Sequence, residues 1–242
     1  MFLIAGLITN HLARNTTNPR HPDATISEVL CDFDGTITVI DATDAILEAF
    51  ALPDWREWEL RWVRGEISSQ ECLAHQVELI RADRETLVRF AADLPIDKGI
   101  FALDRQCTAH HIPLHIVSDG LDLLIEAVLR RHNLLHIPVF SNHLQWKTPS
   151  VPSLSFPFSL PECRSGSGTC KCALTLVANC DSSQIIYIGD GQSDQCVSRK
   201  VGTLFAKGSL KGWCDQEGIN HHPFDTLTNV TEQLFSKEAV SP

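Results

Sequence analysis

Two aspartates separated by one residue, Asp32 and Asp34, directly follow an apolar run that ends at Cys31. A buried strand that ends there would present both carboxylates at its carboxyl end, the edge where open α/β sheets bind ligands. Two carboxylates in one crevice repel each other, so they need a cation between them or a shared proton. This stretch therefore predicts a site that holds a cation or a proton.

Two later strands are also predicted to end in polar residues. Ser118 follows an apolar run that begins at Pro113, while Asp190 and Asp194 follow another. Because the carboxyl ends of parallel strands meet at one edge of a sheet, we expect these side chains to lie near the two N-terminal aspartates. Lys171 opens the helix before the last cluster and supplies a positive charge.

This set of residue types suits the hydrolysis of a phosphate monoester. The reaction needs a nucleophile, an acid for the leaving oxygen, and positive charge on the transferring phosphoryl group. Asp32 would attack phosphorus and form an aspartyl-phosphate. Asp34 would protonate the leaving alcohol and then activate the hydrolytic water. Ser118 would hydrogen-bond a phosphoryl oxygen, and Lys171 would neutralise phosphate charge and stabilise the Asp32 carboxylate.

Oxygen ligands alone suit a hard cation, and the expected ion is Mg²⁺. Asp32, the backbone carbonyl of Asp34, and Asp190 are the expected ligands. Asp194 would bind the ion directly or lie just behind those ligands.

Small residues and backbone N–H groups beside these side chains are expected to bind the phosphate. They are Gly35 and Thr36 after the first strand, and Asp119 and Gly120 after Ser118. Glycine lets the backbone turn sharply beside a ligand.

The motifs resemble, in order, the four motifs of the haloacid dehalogenase-like superfamily. They are D-F-D-G-T at 32–36, V-S-D-G at 117–120, Lys171, and G-D-G-Q-S-D at 189–194. The resemblance implies a magnesium-dependent phosphatase that acts on a small phosphorylated metabolite through an aspartyl-phosphate.

A helical insert after the first motif resembles the phosphoserine-phosphatase-like subgroup. Residues 166–171 and 187–194 are most similar to two groups within it. One is the methionine-salvage phosphatases, which act on 2-hydroxy-3-keto-5-methylthiopentenyl-1-phosphate, and the other is the phosphoethanolamine/phosphocholine phosphatases. The methionine-salvage enol phosphate is thus the first candidate substrate, with phosphoserine and phosphocholine or phosphoethanolamine as alternatives.

One departure argues against phosphoserine. In phosphoserine phosphatases a cap arginine binds the substrate carboxylate, and an ungapped alignment places Gln76 at that position. Glutamine cannot form the bidentate charged pair that arginine makes. Asp41 falls where that family places a glutamate that meets the substrate amine. Arg61, Arg64 and Arg81 remain candidates for binding a substrate carboxylate.

Strands that alternate with helices predict an α/β fold with a doubly wound parallel sheet, the Rossmann-like core of the superfamily. We predict the core over residues 26–41 and 96–242, an inserted helical cap domain over 42–95, and a loosely ordered N-terminal extension over 1–25. Within the cap, tryptophans at helical spacing either pack its core or line a substrate pocket; they are Trp55, Trp58 and Trp62.

The second half of the chain gives weaker signals. We predict a short strand at Ile137–Phe140, a two-stranded flap formed by 142–146 and 154–158, and a last strand at Val201–Ala206. The segment 145–169 is irregular and rich in proline.

Composition limits the partners and the location. A formal net charge of −10 argues against nucleic acid and anionic membranes. The apolar start, Met1–Ile8, is far shorter than the roughly 20 residues of a membrane span and lacks the basic flank of a signal peptide. Nine cysteines without a disulfide pattern favour thiols in a cytoplasmic protein. The sequence does not indicate an oligomeric state.

Three of the cysteines, Cys163, Cys170 and Cys172, lie close together in the sequence. Their spacing is not that of a zinc ribbon or finger, so we interpret them as thiols.

Two other functions use the same residues. In a phosphotransferase an alcohol, rather than water, would take the phosphoryl group from Asp32. A non-catalytic phosphometabolite-binding protein would keep the pocket without turnover, although it would not require both Asp32 and Asp34.

Overall fold

The computed structural model describes residues 26–148, 151–163, 165–177 and 180–235. The predicted N-terminal extension therefore lies outside the described residues. The strands have the bounds β1 Glu28–Cys31, β2 Leu114–Leu121, β3 Val139–Thr148, β4 Val151–Ser155, β5 Ile185–Gly189, β6 Thr203–Ala206 and β7 His222–Pro223.

Nine α-helices are found in the described part of the chain. They are α1 Ala42–Phe50, α2 Trp55–Val63, α3 Ser69–Glu78, α4 Arg84–Ala92, α5 Ile100–Ala109, α6 Asp122–Arg131, α7 Lys171–Val177, α8 Gly208–Glu217 and α9 Leu227–Phe235. The longest helices have ten residues, and none of those described is long and apolar enough to cross a bilayer.

The strands form one seven-stranded sheet in the order β4-β3-β2-β1-β5-β6-β7. β1 pairs in parallel with β2 and β5, and the parallel pairing continues through β6 to β7. β3 and β4 form an antiparallel pair. The mostly parallel sheet with helices between its strands confirms the predicted Rossmann-like α/β fold.

The chain divides into two compact units. The first contains the described residues of Met1–Asp32, Asp97–Ile116 and Lys171–Pro242. Its central strands β1 and β5 are buried at every position, as expected for parallel strands covered on both faces. Helix α9 packs against α5 in this unit.

The second unit contains Phe33–Ile96 and Val117–Cys170. It holds helices α1 to α4, the last residues of β2, helix α6, and the β3–β4 pair. α4 packs against α6, and α3 packs against both α2 and β4. The predicted cap segment, residues 42–95, is thus helical, and its bounds as a separate domain stay a prediction.

Side-chain caps explain where three helices of the second unit begin. Asp41, Ser68 and Asp83 each accept a hydrogen bond from the backbone N–H three residues later. Such caps satisfy N–H groups that have no partner within the helix.

Two predictions about strands need correction. The predicted flap is present as an antiparallel pair, but its second strand is Val151–Ser155 and not 154–158. Its first strand is not separate from the predicted strand at 137–140, since a single strand, Val139–Thr148, runs through both. The predicted last strand is followed by β7, which pairs with β6 over only two residues. A strand of two residues is too short to show a periodic pattern, so hydropathy could not reveal it.

Candidate active site

Three carboxylates of the first unit lie together. Asp32 follows β1, and Asp190 follows β5, which pairs with β1. Oxygen atoms from these two residues and from Asp194 all lie within 4.8 Å of one another. Asp32 and Asp194 are buried, and Asp190 is half-buried. Parallel pairing of β1 with β5 therefore brings these predicted residues to one sheet edge.

Lys171 is the cation of this group and is itself buried. Its ammonium lies 2.8 Å from Asp32 Oδ2 and 2.5 Å from Asp194 Oδ1, and it donates to Ser193 Oγ at 2.9 Å. Burial opposes the charge of Lys171, but the carboxylates of Asp194 and Asp32 outweigh it and raise the pKa of the lysine. Lys171 is therefore positively charged throughout the physiological pH range.

Asp194 is surrounded by four hydrogen-bond donors. Its Oδ1 accepts from the Lys171 ammonium and from the Tyr187 hydroxyl, each at 2.5 Å. Its Oδ2 accepts from the backbone N–H groups of Asp190 and Gly191, each at 3.0 Å. Each Asp194 oxygen thus has two partners from the protein, and this fixes the carboxylate in place.

The electrostatics of the group favour a bound cation. Burial raises the pKa of Asp32, the nearby Asp194 and Asp190 carboxylates raise it further, and Lys171 opposes the shift. Three carboxylates face one ammonium, so negative charge is in excess. An oxygen-only donor set with excess negative charge fits a hard divalent ion such as Mg²⁺.

A second cluster lies in the second unit and contains Asp34, Ser118 and Gly120. Asp34 Oδ1 accepts from the Ala42 N–H at 2.9 Å, and Oδ2 accepts from the Ser118 hydroxyl at 3.1 Å. The Gly120 N–H donates to Ser118 Oγ at 2.8 Å. A Cβ atom at position 120 would lie 2.9 Å from Ser118 Oγ and closer still to Asp34 Oδ2. Only glycine leaves room for this arrangement.

The turn after Asp34 depends on Gly35, whose φ of +68° lies in the left-handed region. Thr36, next in the chain, is buried, and its N–H donates to the Phe33 carbonyl at 3.2 Å. The turn therefore brings successive N–H groups toward one carbonyl.

Asp119 has a carboxylate that binds three other segments of the second unit. Its oxygens accept hydrogen bonds from the Ser69 hydroxyl, the Asn142 amide and the Thr169 N–H. The sequence predicted only a backbone role for this residue.

Asp41 lines a pocket in the second unit. The pocket has a volume of about 400 Å³ and is lined by Ile40, Asp41, Asp44, Ala45, Glu48 and Trp55. Burial, with Glu59 and Asp34 nearby, raises the pKa of Asp44 to about 6. The pocket is therefore acidic along one side and carries one large aromatic ring.

The tryptophans of α2 differ in their surroundings. Trp55 is buried and lines the pocket, whereas Trp58 stacks on His75 with ring centroids 3.8 Å apart. Trp62 is half-buried.

Gln76 is buried and forms hydrogen bonds with helix α2 of the second unit. Its amide donates to Glu59 Oε2 at 2.9 Å and to the Trp55 carbonyl at 3.4 Å. Its predicted contact with substrate stays a prediction.

The three candidate arginines have partners in the second unit. Arg61 and Arg64 pair with Glu66 at 3.6 and 2.7 Å, and Arg81 donates to two backbone carbonyls. They are absent from the lining of the described pocket.

The carboxylate trio is the group of potential metal ligands found in the described residues. Cys163, Cys170 and Cys172 are not part of such a group there, and all nine cysteines are thiols.

The sequence did not lead us to several residues that shape these clusters. Tyr187 is the only tyrosine of the chain and interrupts a run of isoleucines, which could have indicated a polar role for its hydroxyl. Ser69, Asn142 and Thr169 carry no such signal, because common polar residues acquire their partners only through folding.

Comparison with known proteins identifies the class. Residues 29–199 match the family model described as haloacid dehalogenase-like hydrolase. This match covers well over half of the 242 residues, so the chain belongs to the haloacid dehalogenase-like hydrolase family, as the motifs predicted.

Two similar proteins carry the same name, 2-hydroxy-3-keto-5-methylthiopentenyl-1-phosphate phosphatase. The protein from Exiguobacterium sp. is 25% identical over 211 residues, which cover 86% of this chain and 97% of the relative. The protein from Bacillus pumilus is 25% identical over 214 residues, which cover 85% of this chain and 90% of the relative.

Solved structures share the fold. A haloacid dehalogenase family hydrolase from Salmonella enterica serovar Typhi aligns with a TM-score of 0.68 and 17% identity, covering 91% of this chain and 74% of that protein. A phosphoserine phosphatase described as a phospho-aspartyl intermediate analogue aligns with a TM-score of 0.64 and 16% identity, covering 86% of this chain and 98% of that one.

Proposed function

We propose that this hydrolase is a magnesium-dependent phosphatase of a small phosphorylated metabolite, working through an aspartyl-phosphate at Asp32. Phosphatase activity is the reaction supported by the family and by its named relatives. The observation that carries the mechanism is the buried pair of Asp32 and Lys171, 2.8 Å apart, within a group of three carboxylates.

Asp32 is the nucleophile in this proposal. Its carboxylate oxygen attacks phosphorus, the bond from phosphorus to the leaving oxygen breaks, and Asp34 gives its proton to that oxygen. Asp34 then takes a proton from water, which attacks phosphorus and releases phosphate from Asp32. Lys171 holds the attacking carboxylate and balances phosphoryl charge, and Ser118 donates to a phosphoryl oxygen.

Asp32 and Asp190 would hold Mg²⁺, together with the backbone carbonyl of Asp34. The ion, when bound, would neutralise charge on the phosphoryl group and on the carboxylates. Asp194 would support the ion rather than bind it closely, because both its oxygens already accept two hydrogen bonds.

The methionine-salvage enol phosphate is the substrate we propose first. Two relatives with that name match about six-sevenths of this chain, and nearly all of their own length is covered. Trp55 and Ile40 give the described pocket an apolar surface that suits the thioether end of this substrate.

Phosphoethanolamine or phosphocholine is the second candidate. Asp41, Asp44 and Glu48 line the pocket beside Trp55, and carboxylates next to an aromatic ring suit an ammonium group. Phosphoserine is less well supported, because the three candidate arginines are engaged by Glu66 and by backbone carbonyls.

Phosphate release from a panel of compounds tests these proposals. The panel contains the methionine-salvage enol phosphate, phosphoethanolamine, phosphocholine, phosphoserine and p-nitrophenyl phosphate, each with Mg²⁺ and with EDTA. We expect Mg²⁺-dependent release, fastest for one of the first three. Absence of release from every compound would contradict the proposed phosphatase and favour a phosphometabolite-binding protein.

Product analysis in the presence of added alcohols separates hydrolysis from phosphoryl transfer. Inorganic phosphate as the dominant product supports a hydrolase, and phosphorylated alcohol as the dominant product supports a transferase.

The cytoplasmic location remains a prediction from composition.

A further inference from the structure

The Asp119 carboxylate joins three parts of the second unit that are distant in sequence. Ser69 Oγ, at the first residue of α3, donates to Asp119 Oδ2 at 2.7 Å. The Thr169 N–H donates to Asp119 Oδ1 at 2.9 Å, and the Asn142 amide donates to the same oxygen at 3.1 Å. Asp119 itself lies in β2, directly after Ser118.

Two further contacts hold α3 against the loop that contains Thr169. The Gln70 N–H donates to the Gly166 carbonyl at 3.0 Å. Gly166 has a φ of +57°, and a Cβ atom there would lie 2.6 Å from Ser68 Cβ. The start of α3 and the loop 165–170 are thus in direct contact.

Asn142 completes the network from β3. Its amide also donates to the Asp119 carbonyl at 2.5 Å, and its own oxygen accepts from the Thr169 hydroxyl at 3.1 Å. Gly168 is packed so closely that a Cβ atom would lie 2.8 Å from Asn142 Nδ2. The loop is therefore held on one side by α3 and on the other by β3.

We propose that Asp119 is a positioning residue that clamps the start of α3 to the end of β2 and to the loop before Lys171. We call this network, Ser69, Asp119, Asn142 and Thr169, the Asp119 clamp. Thr169 precedes Lys171 by two residues, and Ser118 precedes Asp119 by one, so the clamp restrains the backbone beside two proposed catalytic groups. Restraining those two groups would favour hydrolysis of the phosphorylated enzyme over transfer to another acceptor, a role that rests on the proposed function.

One buried group in the held loop destabilises the closed clamp. Ser167, inside the held loop, is 2% exposed, and its hydroxyl has no hydrogen-bond partner in the described structure. A buried hydroxyl without a partner is destabilising, and water would satisfy it when the clamp opens. Loss of the Ser69 hydroxyl should therefore loosen the clamp, and loss of the Ser167 hydroxyl should tighten it.

Two variants with opposite expected effects test the proposal, with a matched control. Ser69→Ala removes one bond to the Asp119 carboxylate, and Ser167→Ala removes the unpartnered hydroxyl. Ser27→Ala is the control, because Ser27 Oγ likewise donates to a side chain, Gln184 Oε1 at 3.1 Å, outside the clamp. Asp119→Asn removes part of the acceptor set and should exceed Ser69→Ala in effect.

The first measurement is the hydrogen-exchange rate of the Gln70 and Glu71 amides, which depends on how tightly the clamp holds α3 and does not require catalysis. Ser69→Ala removes a hydrogen bond to a charged group, so we expect these amides to exchange about tenfold faster in this variant. We expect slower exchange in Ser167→Ala. Wild-type rates are expected in Ser27→Ala. Unchanged exchange in Ser69→Ala, or an equal change in the control, would overturn the clamp.

The second measurement is the fate of the phosphoryl group when p-nitrophenyl phosphate is hydrolysed in dilute methanol. A methanol oxygen that attacks phospho-Asp32 yields methyl phosphate, restores the carboxylate and gives its proton to Asp34. Because a loosened clamp would let Ser118 and Lys171 shift, we expect the ratio of methyl phosphate to inorganic phosphate to rise about threefold or more in Ser69→Ala and to fall in Ser167→Ala.

The two measurements separate the possible failures. Changed exchange with an unchanged product ratio would mean that the clamp is purely structural, and the positioning role would be rejected. A wild-type protein that releases phosphate from no compound of the panel would refute the proposed phosphatase, while the exchange experiment would still decide whether the clamp exists.

Discussion

Asp32 experiences two opposing effects at the scale of a single residue. Its ion pair with Lys171 favours the charged carboxylate, while burial and the nearby Asp194 and Asp190 disfavour it and raise its pKa. The raised pKa means that the second effect is larger in the metal-free protein. A nucleophile that is costly to ionise without a cation is consistent with a metal-dependent site.

Asp32→Asn should therefore abolish activity and stabilise the metal-free fold. We expect phosphate release to fall by about a thousandfold or more, since the nucleophile is lost. In EDTA the melting temperature should rise, because a neutral amide replaces a disfavoured charge. Mg²⁺ should then stabilise the wild-type protein more than the variant.

Thermal melts and phosphate assays of the same preparations check this prediction. Asp54→Asn is the control, since Asp54 is exposed and makes no side-chain cap to its helix. An active Asp32→Asn protein, free of wild-type contamination and deamidation, would contradict the mechanism.

Asp44 gives a prediction about pH. Its folded-state pKa is raised to about 6 by burial, Glu59 and Asp34, above the ordinary value of about 4. The folded protein thus binds this proton more tightly than the unfolded chain does. The resulting stability is complete below about pH 4 and is lost as the pH rises through about 6.

Asp44→Asn should remove that loss. We expect the variant to melt at a higher temperature than the wild-type protein at pH 7, and the difference should shrink to near zero at pH 4. Melting curves at intervals between these values check the sign. A difference that stays constant over the range would show that Asp44 does not titrate as described.

At the scale of secondary-structure elements, the end of β2 has room for glycine alone. At Gly120 a Cβ atom would lie 2.9 Å from Ser118 Oγ and closer to Asp34 Oδ2. In α8, by contrast, a Cβ atom at Gly212 would have no atom within 4 Å. The two glycines therefore provide a matched pair of substitutions.

Gly120→Ala should lower kcat/KM by about tenfold or more, because misplacing a catalytic group by a fraction of an ångström is costly. Gly212→Ala should leave activity unchanged and stabilise the protein by about 0.5–1 kcal/mol, since alanine favours a helix over glycine. Phosphate release and denaturant unfolding measure the two effects. Equal activity in both variants would argue against the tight packing at Gly120.

At the scale of the whole molecule, the nine cysteines differ in accessibility. Five are buried, namely Cys31, Cys72, Cys107, Cys170 and Cys214, and the other four are half-buried. Burial is the main cause that raises the pKa of Cys72 and Cys107 to about 12. The reactive species is the thiolate, so buried thiols with raised pKa values should react slowly.

Alkylation of the native protein at pH 8 should therefore modify Cys163, Cys172 and Cys196 first. Cys180 should follow more slowly, because burial raises its pKa to about 11. Mass spectrometry of the digested protein gives the order, and the unfolded protein serves as the control in which all nine react. Early modification of Cys72 or Cys107 would contradict the described packing.

The amino-acid sequence by itself determined the fold class and the positions of the chemical groups. Asp32 and Asp190 directly follow strands, whose ends depend on local hydropathy. Ser118 also follows an apolar run, but β2 does not end there as predicted and continues to Leu121. The helices from residue 42 to 92 follow from local periodicity and from caps such as Asp41 and Ser68. These features depend on residues close in the chain, so a pattern reveals them.

Only the tertiary structure decided what each polar side chain binds. It gave Asp194 four donors, directed the Gln76 amide to Glu59, and joined Asp119 to Thr169, 50 residues away. It also placed β7 beside β6 on a pairing of two residues. Contacts between distant residues depend on how helices and strands pack, and the hydropathy pattern does not encode which distant partner a polar side chain meets.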